Sequence, residues 1–302
     1  MEGRVKKVGF KSGYYARERR AGYLFVLAPV LQFFLFAFIP LIVSLYAGFT
    51  DWSSINTPEF IGLQNFKEIF ADANFWKSIG NTLFMMLGIP IGLIISLGLA
   101  LAMNRKVLGT KTFRVLYYIP VISSIAAVSI LWRWVYNGDY GLLNQILSVF
   151  RIGGINWLNN EATVKPAIMA MTIWKGLGTS ILLYLAGIQS IPKGLKEAAQ
   201  IDGANAFQTF KHIIIPMLKP VTFYLIITGI IGGSQMFIEP SIMVDNGGVN
   251  YSAATVVYYL WQKAFKNYQM GYACAVGWLL AIFIFIITII QFKYKGNEVF
   301  GD

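Results

Sequence analysis

A chain of 302 residues in which 56% of the side chains are hydrophobic and 13% are charged carries more apolar surface than a water-soluble core can bury, which excludes a soluble globular protein. The formal charge of +11 is spread over segments that flank apolar runs, pointing to membrane headgroups and away from nucleic acid. One cysteine, Cys274, and one histidine, His212, exclude an internal disulfide and a His/Cys metal cluster.

Residues 1–22 form a basic segment with seven lysines and arginines, including Lys6, Lys7, Arg17, Arg19 and Arg20, suited to lie against anionic lipid. The following apolar run is longer than a signal-peptide core and lacks a small-x-small cleavage site, so an uncleaved first span is expected at 23–49. Further runs at 79–103, 115–136, 165–189, 221–240 and 273–292 are each long enough to cross about 30 Å of hydrocarbon. They predict six transmembrane helices within a membrane domain at 23–292, followed by a tail at 293–302. The third and fifth runs contain Gly, Pro or polar residues, so these helices are expected to turn their polar faces into the bundle. Gly176 and Gly178 in the fourth, and Gly229, Gly232 and Gly233 in the fifth, permit close packing or bends.

Cation placement sets the expected orientation. Beyond the seven at the start, four lie in 104–114, four in 190–220 and two after 292, whereas the opposite connections hold Lys67, Lys77, Arg151, Lys263 and Lys266. The positive-inside rule places both termini and the 190–220 loop in the cytoplasm of a multi-pass cell-membrane protein. The opposite connections, 50–78, 137–164 and 241–272, are rich in Trp, Tyr, Asn and Gly, a composition suited to ordered lids.

The 190–220 loop is the most informative stretch. Ser190 and Pro192 read as a helix start, with the helix running through Gln200. Glu197 beside Ala198 and Ala199 offers a charged anchor next to side chains small enough for close approach of another protein. Gly203 permits a sharp turn after Ile201 and Asp202, and Ala204 to Ile214 resumes at helical spacing with Phe207 and Phe210 at the membrane interface. The loop reads as two short helices with a bend.

The string EAAQIDGA followed by IIIP resembles the EAA loop of binding-protein-dependent ABC import permeases. LAPV, FIPLIVSLYAGFTDW, IGLQNF, NTLF, YYIPVISS, GLLNQIL, WKG and DNGG resemble the carbohydrate, MalF-like branch, from about Leu24 to the last span. The resemblance implies an all-α membrane protein with the six-helix type I ABC importer permease fold (MetI/MalF-like). It also implies that Glu197, Ala198, Ala199, Ile201, Asp202 and Gly203 form a coupling helix seated in a cytoplasmic ATPase. The implied partners are a second, homologous but non-identical permease, two ABC ATPase subunits, an extracytoplasmic solute-binding protein, membrane lipid and a sugar or oligosaccharide. Trp52, Asn65, Phe66, Asn144, Trp157 and Asn246 are candidates for the surface that receives the binding protein. No G-x-x-x-x-G-K-S/T phosphate loop occurs, so ATP and Mg are expected on the partner ATPase, with no cofactor and no enzymatic activity in this chain.

A saccharide needs hydrogen-bonding groups beside aromatic surface. The fourth span offers Thr172, Trp174, Lys175, Gly176 and Thr179, and the fifth Ser234, Gln235, Phe237 and Glu239. Thr172, Lys175, Gly176 and Thr179 recur at i, i+3, i+4 and i+7, a polar stripe on one face. In MalF-like relatives the intramembrane sugar site lies on these two helices, and Trp174 to Gly176 matches their W-x-G motif. Lys175 departs from the family pattern, and it either pairs with Glu239 or meets substrate. A permease for glycerol phosphate esters stays open within this class, and a secondary transporter outside it, although the latter has no use for the loop.

Overall fold

An uncharged apolar segment can satisfy its own backbone N–H and C=O groups in hydrocarbon only as a helix. In the computed structural model, which describes residues 12–53, 56–104 and 110–293, helices dominate throughout. Among the described residues the only β-pairing is two isolated bridges, Thr50 with Phe60 and Ser53 with Gln269. The basic start at 1–11, residues 105–109 and the tail from 294 lie outside the described residues.

Helix α1 (Ser12–Phe33) runs through a π-helical turn (Phe34–Phe38) into α2 (Ile39–Ala47). The apolar stretch Glu18–Ala47 forms the first span, and no residue of its most apolar window is buried within this chain. Helices α3 (Gln64–Ala71), α4 (Ala73–Met86) and α5 (Gly88–Met103) follow, and α4 with α5 makes the second span, Ala73–Met103.

The third span, expected as one helix over 115–136, is broken. Helix α6 (Thr110–Ile122) gives way at Ser123 and Ser124 to α7 (Ile125–Val135), at an angle of 110°. Pro120 supplies no N–H to the last turn of α6, and Ser124 leaves the helix with ψ 135°. At 13 residues α6 is roughly 20 Å long, too short to cross alone.

After α8 (Leu142–Val149), helix α9 (Val164–Ser190) is the uninterrupted fourth span. It leads into α10 (Lys193–Ile201), α11 (Ala206–Thr209), a π-helical turn (Phe210–Ile214) and α12 (Ile215–Met217). Helix α13 (Lys219–Ser234) starts at an angle of 60° to the Ala206–Met217 segment. The fifth span, expected over 221–240, therefore ends as a helix at Ser234, where Gly232 and Gly233 leave its last turn weak. Residues 235–237 break the helix, and α14 (Ile238–Met243) takes Pro240 in its first turn, where no N–H is required. Helices α15 (Val256–Trp261) and α16 (Met270–Gln291) complete the chain, α16 being the sixth span. Among the described residues four helices are long and apolar enough to cross a membrane, and up to six crossings result if each bent pair is one span.

We call the end of the bundle that carries residues 190–220 the lower end. The helices that follow the breaks at 123–124 and 235–237, α7 and α14, pack on each other at the upper end, where Arg133 donates to Ile242 O and Asp245 Oδ2, both at 3.0 Å. An apolar cluster including Met85, Val128, Tyr136, Met171, Met236 and Met243 fills the bundle below them. A second, including Ala100, Tyr184, Ile188 and Leu218, holds the lower half together. Helices α6 and α9 approach so closely that a Cβ at Gly178 would run into the Tyr117 carbonyl and Val121.

A polar knot fixes the upper connections. Asp72 caps α4 by accepting from Asn74 N at 2.8 Å, and its other oxygen accepts from Tyr259 Oη at 2.7 Å and Lys263 Nζ at 3.1 Å. Burial by itself pushes the Asp72 carboxyl up, but the hydrogen bonds from Tyr259, Asn74 and Lys263 and the Lys263 charge outweigh it and hold the group below its ordinary value. A depressed carboxyl contributes stability that is present above its unfolded-state value of 3.8 and is lost as pH falls through the lower folded value. Asp72→Ala should cost roughly 2 kcal/mol at neutral pH. In a melting series in detergent, the wild-type midpoint should drop toward that of Asp72→Ala as pH falls below about 4.

Candidate functional site

Helices α5, α9 and α13 enclose a cavity of about 250 Å³ in the middle of the bundle. Helix α9 presents Thr172, Gly176 and Ser180 to it at i, i+4 and i+8, and α5 presents Gly88, Gly92 and Ser96 with the same spacing. Gly229, Gly232 and Gly233 of α13 line the third wall, and Glu239 of α14 stands at the upper rim. The glycines leave stretches of backbone open between apolar side chains such as Met86, Ile89, Leu177 and Met236, and Thr172, Ser180 and Ser96 add hydroxyl groups. Thr172 Oγ1 donates to Met169 O at 2.9 Å. Ser96 is fully buried, and its Oγ has no hydrogen-bond partner among the described residues, an orphan that a ligand hydroxyl or water in the cavity would satisfy.

Of the expected pathway residues, Thr172, Gly176 and Glu239 line this cavity and the others do not. The polar stripe is rotated from its expected position: Ser180 faces the cavity and Thr179 is exposed. Trp174 packs edge-on against Trp132, ring centroids 5.5 Å apart. Among the described residues no ion pair joins Lys175 to Glu239. Ser234 is buried and donates to Ile230 O at 2.7 Å, which commits it to the helix end. Gln235 is exposed at the break, and Phe237 stacks near Trp261 at 5.6 Å. Ser96, Ser180 and the α5 glycines were not singled out from the sequence, although Gly88, Gly92 and Ser96 recur every four residues.

The lower segment is built by local bonds. Helix α10 begins at Lys193 after Pro192; Ser190, expected as its cap, is instead the last residue of α9 and donates to Gly187 O at 2.8 Å. At its other end Gly203 adopts φ +76°, Gly203 N donates to Gln200 O at 3.1 Å and Ala204 N to Ala199 O at 2.9 Å. The next helix starts with a capping box: Gln208 N donates to Asn205 Oδ1 and Asn205 N to Gln208 Oε1, at 2.9 and 2.8 Å. The resulting corner exposes Glu197 with Leu195, Ile201 and Phe207, the last two at 86% and 70%. Ile191 and Leu218, both buried, tie its two ends to the bundle.

At the upper end, Asn65 and Asn144 are not surface groups. Asn65 Nδ2 donates to Gly48 O and Thr50 O at 2.9 and 2.8 Å, and Asn144 holds Gly138, Ile155 and Trp157. Phe66 leans on Phe49, Trp52 and Trp157 are half-buried, and Asn246 is exposed.

Residues 88–292 match the family described as binding-protein-dependent transport system inner membrane component. The chain is 34% identical to the probable ABC transporter permease protein YesP of Bacillus subtilis, covering 94% of this chain and 93% of that protein. It is also 34% identical to the arabinooligosaccharides transport system permease protein AraP of the same organism, covering 97% and 94%. Identity to the multiple sugar-binding transport system permease protein MsmF of Streptococcus mutans is 32%, covering 90% and 94%. Among solved structures, a chain of a bacterial alginate ABC transporter in complex with alginate pentasaccharide-bound periplasmic protein superposes with a TM-score of 0.84 at 22% identity, covering 96% of this chain and 99% of that one.

Proposed function

The chain belongs to the binding-protein-dependent transport system inner membrane component family, and from that premise we propose that it is a permease subunit of an ATP-driven ABC importer that moves a sugar or oligosaccharide into the cell. The observation that carries this reading is the continuity of α9. One uninterrupted helix presents Thr172, Gly176 and Ser180 to the cavity and ends at the buried Ile191, which anchors α10. A push on α10 is thus delivered to the cavity wall through a rigid rod of 27 residues.

In this reading α10 faces the cytoplasm and sits in a groove of an ABC ATPase, which binds ATP and Mg; this chain catalyses no reaction. Closure of the ATPase pair rocks α9 and α13 and switches the cavity between outward and inward access. A solute-binding protein delivers the cargo at the upper end. A second, homologous permease completes the pathway, and the bare first span supports that pairing, because it offers a long helix for a neighbouring subunit to cover.

The test is uptake by the complex reconstituted in vesicles with its ATPase, sister permease and binding protein, offered labelled oligosaccharides and, separately, glycerol phosphodiesters. ATP-dependent accumulation of an oligosaccharide is the expected result. Accumulation of the phosphodiesters alone would replace the cargo, and transport without an ATPase would end the reading.

A further inference from the structure

A second cavity lies above the first, and it has a different character. It measures about 130 Å³ and is walled by Arg133 and Asn137 at the end of α7, Asn156 and Asn159 before α9, and Asp245 after α14. Its wall is mostly polar, whereas that of the central cavity is mostly apolar. One apolar cluster separates the two: Met85 and Met236 of that cluster line the lower cavity, and Tyr136, Leu158, Met243 and Val244 line the upper one.

Two groups of the upper cavity, Arg133 and Asn137, are held in place by hydrogen bonds, and the hydrogen-bonding capacity of the wall is only partly used. Arg133 is fixed by Ile242 O and Asp245 Oδ2, so its charge is matched within the wall. Asn137 Oδ1 accepts from Asp139 N and Tyr140 N at 2.9 and 3.1 Å, which orients its free amide nitrogen. The side chains of Asn156 and Asn159 make no hydrogen bond among the described residues. Each amide supplies a donor and an acceptor, the pair of roles that a sugar hydroxyl also supplies. An internally neutralised Arg–Asp pair among three amides suits an uncharged polyhydroxyl ring better than an anion. The volume is well below the roughly 300–1,000 Å³ of a drug-sized site, so no more than one ring can enter.

We propose that this upper cavity is a receiving subsite that holds the terminal ring of an incoming neutral saccharide before the Met85–Met236 plug opens to the central cavity. The proposal rests on the saccharide reading above and adds a second, separate stop on the route. Parting of α7 from α14 would break the Arg133 contacts, dismantle the subsite and release the ring downward in one motion.

The test uses the reconstituted complex and compares the wild type with Asn156→Ala/Asn159→Ala, two exposed side chains whose loss removes no internal bond. The half-saturating concentration of loaded binding protein is measured for the parent saccharide and for analogues deoxygenated on the terminal ring. The expected result is a rise of about tenfold for the parent and of less than about twofold for the analogues, since the analogues have already lost the same hydrogen bonds. An equal rise for every cargo would make these asparagines a docking face for the binding protein and overturn the subsite, as would no rise at all. Failure of the wild-type complex to take up any saccharide would instead overturn the reading of the cargo.

Discussion

Replacing Gly176 by phenylalanine is expected to leave the protein folded, inserted and assembled while cutting uptake by about 100-fold. A Cβ at Gly176 meets nothing within 4 Å, so the helix tolerates a side chain there. The ring then occupies a cavity of only about 250 Å³. Forcing cargo past it carries a steric cost of up to about 3 kcal/mol, which corresponds to roughly 100-fold. Uptake into vesicles measures the loss, and size-exclusion chromatography of the complex checks assembly. Normal uptake by a well-assembled Gly176→Phe complex would show that cargo does not pass this wall. Gly178→Phe is a contrasting control two residues away: its side chain would strike the α6 backbone, so it should fail at folding and not at transport.

Deletion of Glu197–Gly203 is expected to abolish both uptake and co-purification of the ATPase, with membrane insertion intact. A finer version replaces Ile201 and Phe207 by aspartate. Both project from the corner, 86% and 70% exposed, and neither supports the bundle. If each is buried on docking, it contributes about 1.5–3 kcal/mol, and losing both weakens the ATPase contact by more than about 100-fold. Retention of the ATPase by the double variant through affinity purification would remove the corner from the contact.

The corner was legible in the sequence because the bonds that shape it are local. Gly203 at a left-handed position acts within a few residues of itself, and so do Asn205 and Gln208, whose capping box was equally local but was not read from the sequence. Ser190 misled for a related reason: a serine hydroxyl can cap the next helix or donate back into the previous one, and the choice here fell to Gly187 O. The breaks in the third and fifth spans were marked by Pro120 and by Gly232-Gly233, but a hydropathy run averages over such marks. The site was less legible because its residues are selected by distant neighbours. Thr179 and Ser180 are adjacent, and only the packing of α5 and α13 against α9 decides which faces the cavity. Asn65 and Asn144 look like surface residues until the carbonyls they hold, in other segments, come into view.

The bonds that close the corner between α10 and α11 join atoms no more than five residues apart, from Ala199 to Ala204 and from Asn205 to Gln208. Short-range closure of this kind is fast and independent of how the rest of the chain is arranged. The motor would then meet a finished key, with little ordering entropy to be lost at the moment of capture. Assembly should accordingly proceed at the pace of encounter, with no slow folding step at the contact, and subunits made separately should join without being unfolded first.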